Sequence, residues 1–97
     1  MTESEDSRLH AIIEGRVQGV GFRAFAIRKA NEMGINGWVR NLRDGNVEVI
    51  VEGRRTDLDK FLSVLRRGPS SAYVTNVKPD WRSASGEFDG FNVKYTL

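Results

Sequence analysis

Asp44-Gly45 constrains this chain more than any other feature of its sequence. An Asp-Gly step between two apolar-patterned segments signals a tight hairpin, because the glycine supplies the positive φ that closes the turn. Before it, Gly37 to Leu42 (GWVRNL) reads as a strand. After it, Val47, Val49 and Val51 alternate with polar or exposed positions along a second strand. Two strands joined this tightly pair antiparallel, so this stretch cannot belong to a purely parallel, doubly wound sheet.

The remaining elements arrange themselves around that hairpin. Leu9 to Glu14 (LHAIIE) is a short apolar segment and reads as a first strand. Phe22, Phe25, Ala26, Ala30 and Met33 fall on one face of a helix running from Phe22 to Met33, with Gly34 placed to stop it. Leu58, Phe61, Leu62 and Leu65 mark a second helix at i, i+3, i+4, i+7 spacing. Thr56 and Asp59 suggest a capping box at its start, and Gly68-Pro69 ends it. Ala72 to Trp81 reads as a fourth strand. Ser83 to Gly90 is a polar loop, and Phe91, Val93 and Tyr95 alternate along a last short strand. The order βαββαβ plus a short C-terminal strand predicts an α+β, ferredoxin-like split βαβ sandwich: an antiparallel sheet with two helices on one face. Such a plan hosts RNA binders, metal carriers, regulatory domains and enzymes, so it does not decide function.

Composition narrows the classes. The 97 residues suit one domain, expected over residues 8–97 behind a disordered tail at residues 1–7. There is no cysteine and one histidine, His10, which excludes a disulfide scaffold, a thiolate metal site and cysteine catalysis and leaves few parts for a histidine-based triad or metal centre. The net charge of +2 falls short of the basic excess of a dedicated nucleic-acid binder but favours small anionic substrates. No apolar run reaches the roughly 20 residues of a membrane span. The polar, partly acidic start is unlike a signal peptide, and the expected compartment is the cytoplasm.

Between the first strand and the first helix lies Gly15 to Arg23, GRVQGVGFR. Gly19 and Gly21 open backbone conformations denied to other residues and clear side chains away from the backbone. The N–H groups that begin the following helix lack intrahelical partners, so a loop of this kind can aim several donors at one anion. Arg23 adds a permanent charge and a planar fork suited to phosphate oxygens. Taken alone, the same residues also read as a glycine-rich turn beside a surface arginine. Gly19 to Ala24 formally matches the dinucleotide fingerprint G-x-G-x-x-G/A, with Asp44 at the expected distance. That motif requires a parallel βαβ unit, however, and Asp44 lies in the hairpin turn. A Walker loop would need Lys-Ser or Lys-Thr after the glycines, and neither is present.

GRVQGVGFR followed by GWVRNLRDGNVEV closely resembles the acylphosphatase family, and the similarity continues through GPSSAYV, GEFDGF and FNVKY. It covers nearly all of the chain beyond the first residues. The resemblance implies a ferredoxin-like enzyme that hydrolyses the carboxyl–phosphate bond of acyl phosphates without metal or cofactor. It assigns the phosphate to Arg23 and to the backbone of Val17, Gln18, Gly19, Val20, Gly21 and Phe22. It gives Asn41 the task of orienting the attacking water. Its proposed proton acceptor is the substrate phosphate. Inorganic phosphate is then both product and inhibitor, and the expected state is a monomer.

The chemistry of these residue types agrees. A carboxylate is already a good leaving group, so charge stabilisation and water placement are the tasks left to the protein. Asn41 is neutral and can orient water but cannot serve as the base. Trp38 and Arg40 alternate with Val39 and Asn41 and so face the other side of the sheet, with Trp38 read as packing. His10 reads as a surface strand residue, and Arg54-Arg55 and Arg66-Arg67 as solvated charges flanking a helix. Three rival functions carry less support. RNA binding lacks the aromatic platform, since GNVEVIVE has no aromatic residue and the first strand offers only His10. The others are a non-catalytic small-anion binding module and a module within a carbamoyl-transfer enzyme, against which the short chain is expected to stand as a free domain.

Overall fold

A computed structural model describes residues 6–96. The chain folds as β1 (Asp6–Arg16), α1 (Phe22–Met33), β2 (Asn36–Asn41), β3 (Val47–Arg54), α2 (Arg55–Arg67), β4 (Tyr73–Ser83) and β5 (Phe91–Val93). The strands form one sheet in the order β4-β1-β3-β2-β5. Every pairing is antiparallel except β2 with β5, which is parallel, so the sheet is mixed where a wholly antiparallel one was expected. Strand periodicity says which face a residue takes, not which neighbour the strand chooses.

Helix α1 has the bounds its periodicity predicts. Gly34 caps it in the left-handed conformation at φ 68°, its N–H donating to the carbonyls of Ala30 and Asn31. Leu9, Ala11 and Ile13 of β1, Val39 of β2, Val47, Val49 and Val51 of β3, and Phe91 of β5 line the covered face of the sheet. They are buried against Phe22, Ala26 and Ala30 of α1 and Leu58, Phe61 and Leu65 of α2. The Phe61 and Phe91 rings meet edge to face with centroids 6.0 Å apart.

The other face is polar and interlocked. Glu48 accepts from His10 Nε2 and from Arg40 Nε, each at 2.7 Å. Trp38 is buried beneath Arg40 and Lys94, whose cationic groups stand 4.7 and 5.2 Å from its ring centre, which agrees with a packing role. Glu52 holds the loop before β5, accepting from the backbone N–H of Ser85 at 2.8 Å and of Gly86 at 2.9 Å.

Several expectations need correction. Asp6 and Ser7, placed in the tail, already belong to β1, pairing with Arg54 and Gly53; the rest of that tail, residues 1–5, lies outside the described residues. The strand begins earlier than Leu9 because the backbones of Asp6, Ser7 and Arg8 go on pairing with β3, and backbone pairing needs no apolar alternation. The capping box is not formed. Strand β3 runs straight into α2, whose N-cap is Arg54 without a side-chain cap bond, and Thr56 lies inside the first turn. Tyr95 is 95% exposed and lies beyond β5. Arg55 is not merely solvated, because its guanidinium lies 3.6 Å from the Trp81 ring centre and its Nε pairs with Asp59.

Candidate functional site

Strand β1 shifts register against β4 between Glu14 and Gly15 and stays paired with it through Arg16. There Gly15 takes φ 124° with its Cα against the β4 backbone, at a place where a Cβ would overlap the Tyr73 carbonyl. The chain then crosses the end of the sheet as an irregular loop from Val17 to Gly21 and enters α1. Two side chains of this stretch anchor it from below: Val17 is 1% exposed and Phe22 2%.

Gly21 is the N-cap of α1, left-handed at φ 78° and ψ 21°. Its carbonyl accepts the Phe25 N–H at 3.0 Å, which closes the first helical turn. No side chain caps the helix and its first turn carries no acidic residue. The N–H groups ahead of Phe25 are therefore left to water or to an anion, at the positive end of the helix dipole. A serine or aspartate at position 21 would have filled the place an anion can take.

Arg23 projects from the first turn as an exposed side chain, and among the described residues it forms no ion pair. Asn41 ends β2, opposite Val47 and half-buried, on the same side of the sheet as Val39. Both border one depression of about 390 Å³ with Val17, Gly19, Gly21 and Phe22. Six of the expected site residues thus converge, from a loop, a helix and a strand. Gln18 and Val20 do not border it. The Val20 side chain is packed against the core instead, and that of Gln18 turns to the β2–β3 turn, donating from Nε2 to the carbonyls of Leu42 at 2.7 Å and Asn46 at 2.8 Å.

Three further residues complete the wall: Ala24, Ile27 and Val93. They make one side of the depression apolar. Ile27 lies four residues after Arg23, so the helical period that places Arg23 at the site places Ile27 beside it. Val93 has no such signal, because it arrives through the parallel pairing of β5 with β2, opposite Val39.

The arrangement can bind a small tetrahedral anion between amide dipoles and a guanidinium, hold a polar molecule with a neutral amide, and shelter an apolar group beside them. Its donors are amides and a guanidinium rather than the carboxylates and imidazoles that bind metals. Among the described residues no three acidic or histidine side chains gather to hold a metal ion, and no helix is long and apolar enough to cross a membrane.

The model of the family described as "Acylphosphatase" matches residues 9–93. An acylphosphatase of Methylococcus capsulatus is 49% identical over 86 residues, spanning 89% of this chain and 94% of that protein. One from Thermus thermophilus is also 49% identical over 86 residues, covering 89% of this chain and 97% of its own length. The crystal structure of acylphosphatase from Bacillus subtilis superimposes with a TM-score of 0.89 at 32% identity, over 92% of this chain and 99% of that one.

Proposed function

The chain belongs to the acylphosphatase family, and from that membership we propose that it hydrolyses acyl phosphates to a carboxylate and inorganic phosphate, with Arg23 and the loop amides on the phosphate and Asn41 on the water. One observation carries the assignment of roles: Arg23 of α1 and Asn41 of β2 border the same depression, at a helix start that no side chain caps.

The phosphate lies against the backbone N–H groups from Val17 to Phe22, and the Arg23 fork takes two of its oxygens. The Asn41 amide holds a water behind phosphorus, in line with the bond to the carboxyl oxygen. Water oxygen bonds to phosphorus as the phosphorus–carboxyl bond breaks, and the carboxylate leaves with the bonding pair. The water's proton passes to a non-bridging phosphate oxygen. Negative charge on the equatorial oxygens is met by dipoles and a guanidinium already in place, so little reorganisation accompanies the step. The acyl group rests on Ala24, Ile27 and Val93.

Both functional side chains come from one chain, so a monomer suffices. Inorganic phosphate fits the same cradle and competes with substrate. The compartment we propose is the cytoplasm, whose reducing conditions suit a chain without cysteine.

The test is release of phosphate from benzoyl phosphate, with and without excess chelator, beside an ordinary phosphate monoester. Turnover of the acyl phosphate alone, unchanged by chelator, is the expected result. Binding of phosphate without turnover would return the chain to the rival reading of a non-catalytic anion module.

A further inference from the structure

The two halves of the proposed site come from separate pieces of chain. The phosphate cradle is carried by the loop that leads into α1, and Asn41 by the end of β2. Efficient in-line attack needs a fixed spacing between them, and a misplacement of about 1 Å can cost a hundredfold in rate. Core packing fixes the elements, but the loop itself lies at the surface.

One side chain spans the gap. Gln18 Nε2 donates to the Leu42 carbonyl at 2.7 Å and to the Asn46 carbonyl at 2.8 Å, so its amide N–H groups serve two acceptors on the hairpin turn. The turn is itself braced. Leu42 N–H donates to the Asn46 carbonyl at 2.8 Å, Gly45 N–H to the Leu42 carbonyl at 3.2 Å, and Asn46 N–H to Asp44 Oδ1 at 3.0 Å. Leu42 directly follows Asn41. A clamp on Leu42 is therefore a clamp on the backbone that carries Asn41.

We infer that Gln18 is a positioning residue, fixing the phosphate loop against the β2–β3 turn so that the water held by Asn41 stands in line with phosphorus. The inference rests on the roles proposed for Arg23 and Asn41. Gln18 touches neither phosphate nor water with its side chain. Glutamate has its length but no amide hydrogens, and would set lone pairs against two carbonyls. Asparagine has the hydrogens but is one methylene too short to reach both acceptors.

The experiment is a double-mutant cycle on benzoyl phosphate hydrolysis, combining Gln18→Met with Asn41→Ala and reading kcat, KM and the inhibition constant of inorganic phosphate. Gln18→Met is expected to lower kcat by about 10- to 100-fold, while KM and the phosphate inhibition constant move by less than about threefold. In the Asn41→Ala background the same change should cost less than about twofold, because a residue that acts through Asn41 has nothing left to position. Gln18→Asn should fall between wild type and Gln18→Met, and it carries the test if Gln18→Met does not fold. Unchanged kcat in a folded Gln18 variant overturns the inference. So do losses that multiply in the double mutant, or phosphate binding that weakens in step with kcat, which would make Gln18 a part of the cradle. Wild-type turnover in Asn41→Ala alone would instead overturn the role proposed for Asn41.

Discussion

Arg8 and Glu52 form the most enclosed ion pair of the open sheet face: Arg8 Nε donates to Glu52 Oε2 at 2.7 Å, and Glu52 is 6% exposed. Burial pushes the Glu52 carboxyl up, but the Ser85 N–H, the Arg8 guanidinium, the Gly86 N–H and the Ser85 hydroxyl outweigh it and hold the group below its ordinary value of 4.5. A carboxyl lowered on folding adds stability that is complete above its unfolded value and is lost as pH falls through the folded one. Glu52→Gln should therefore lower the melting temperature at pH 7 and lose less than wild type on going from pH 7 to pH 3. Melts at both pH values check this, and parallel acid limbs would contradict it. Some acid sensitivity will remain, because Glu14, Glu48 and Glu87 are lowered as well.

Arg23 faces the site without an ion-pair partner among the described residues, so its contribution should be seen with ligand. A ligand specific to the folded state stabilises it by about 2.7 kcal/mol at a hundredfold excess over Kd. Phosphate should raise the wild-type melting temperature by several degrees over matched chloride. Arg23→Ala should stay folded and lose both activity and most of that shift. Arg23→Lys should also fail, because a point charge on a flexible stem does not reproduce the fork. Retention of the full phosphate shift by Arg23→Ala would place the anion elsewhere.

Asn41 ends its strand half-buried, and its loss opens no large cavity. Asn41→Ala should keep the fold and the phosphate-induced shift, while kcat falls by about 10²–10³-fold, as on removal of one positioned polar group. Steady-state kinetics beside a phosphate titration separate these effects.

Val93 is 46% exposed at the rim of the site, and an acyl group would cover it. Val93→Asn should raise KM for benzoyl phosphate several-fold more than for acetyl phosphate, whose methyl covers less of that wall. It should leave the inhibition constant of inorganic phosphate nearly unchanged, since β5 lies outside the cradle. Equal effects on both substrates would argue against an acyl wall.

Gly37, second in β2, takes φ 156°, with its Cα against the Ile50 carbonyl where a Cβ would collide with backbone. A non-glycine residue in that conformation costs about 1–3 kcal/mol before the collision is counted. Gly37→Ala should be among the most destabilising single-methyl additions in the chain. A denaturant titration showing wild-type stability would refute that.

The parts of this fold written in local chemistry were legible in the sequence. The first helix, its Gly34 cap and the Asp44-Gly45 turn each follow from residues close together in the chain, and the valines of β3 declared their buried face by alternation alone. The site was legible because two motifs, one around Arg23 and one around Asn41, reach the same depression. What stayed hidden depends on distant neighbours. The parallel partner of β5, and with it Val93 at the site, is a choice between strands that no single strand records. The polar start of β1 is held by backbone pairing with β3, about which hydropathy has nothing to report. The true start of α2 was obscured because Thr56 and Asp59 have the spacing of a cap, while continued pairing of Arg54 with Asp6 set the boundary earlier. The Gln18 clamp was hidden because its acceptors are backbone carbonyls, which carry no residue signature.

Strand β4 runs for 11 residues along the outer edge of the sheet, and Pro79 sits near its middle, opposite Ala11 of β1. Proline has no N–H, so the outward row of donors is broken where an added strand would need it continuous. Lys78 and Asp80 flank the gap with opposite charges. A second chain docking there would find its ladder interrupted halfway along and its side chains facing ions. The same edge that frames the sheet thereby discourages its extension into aggregates.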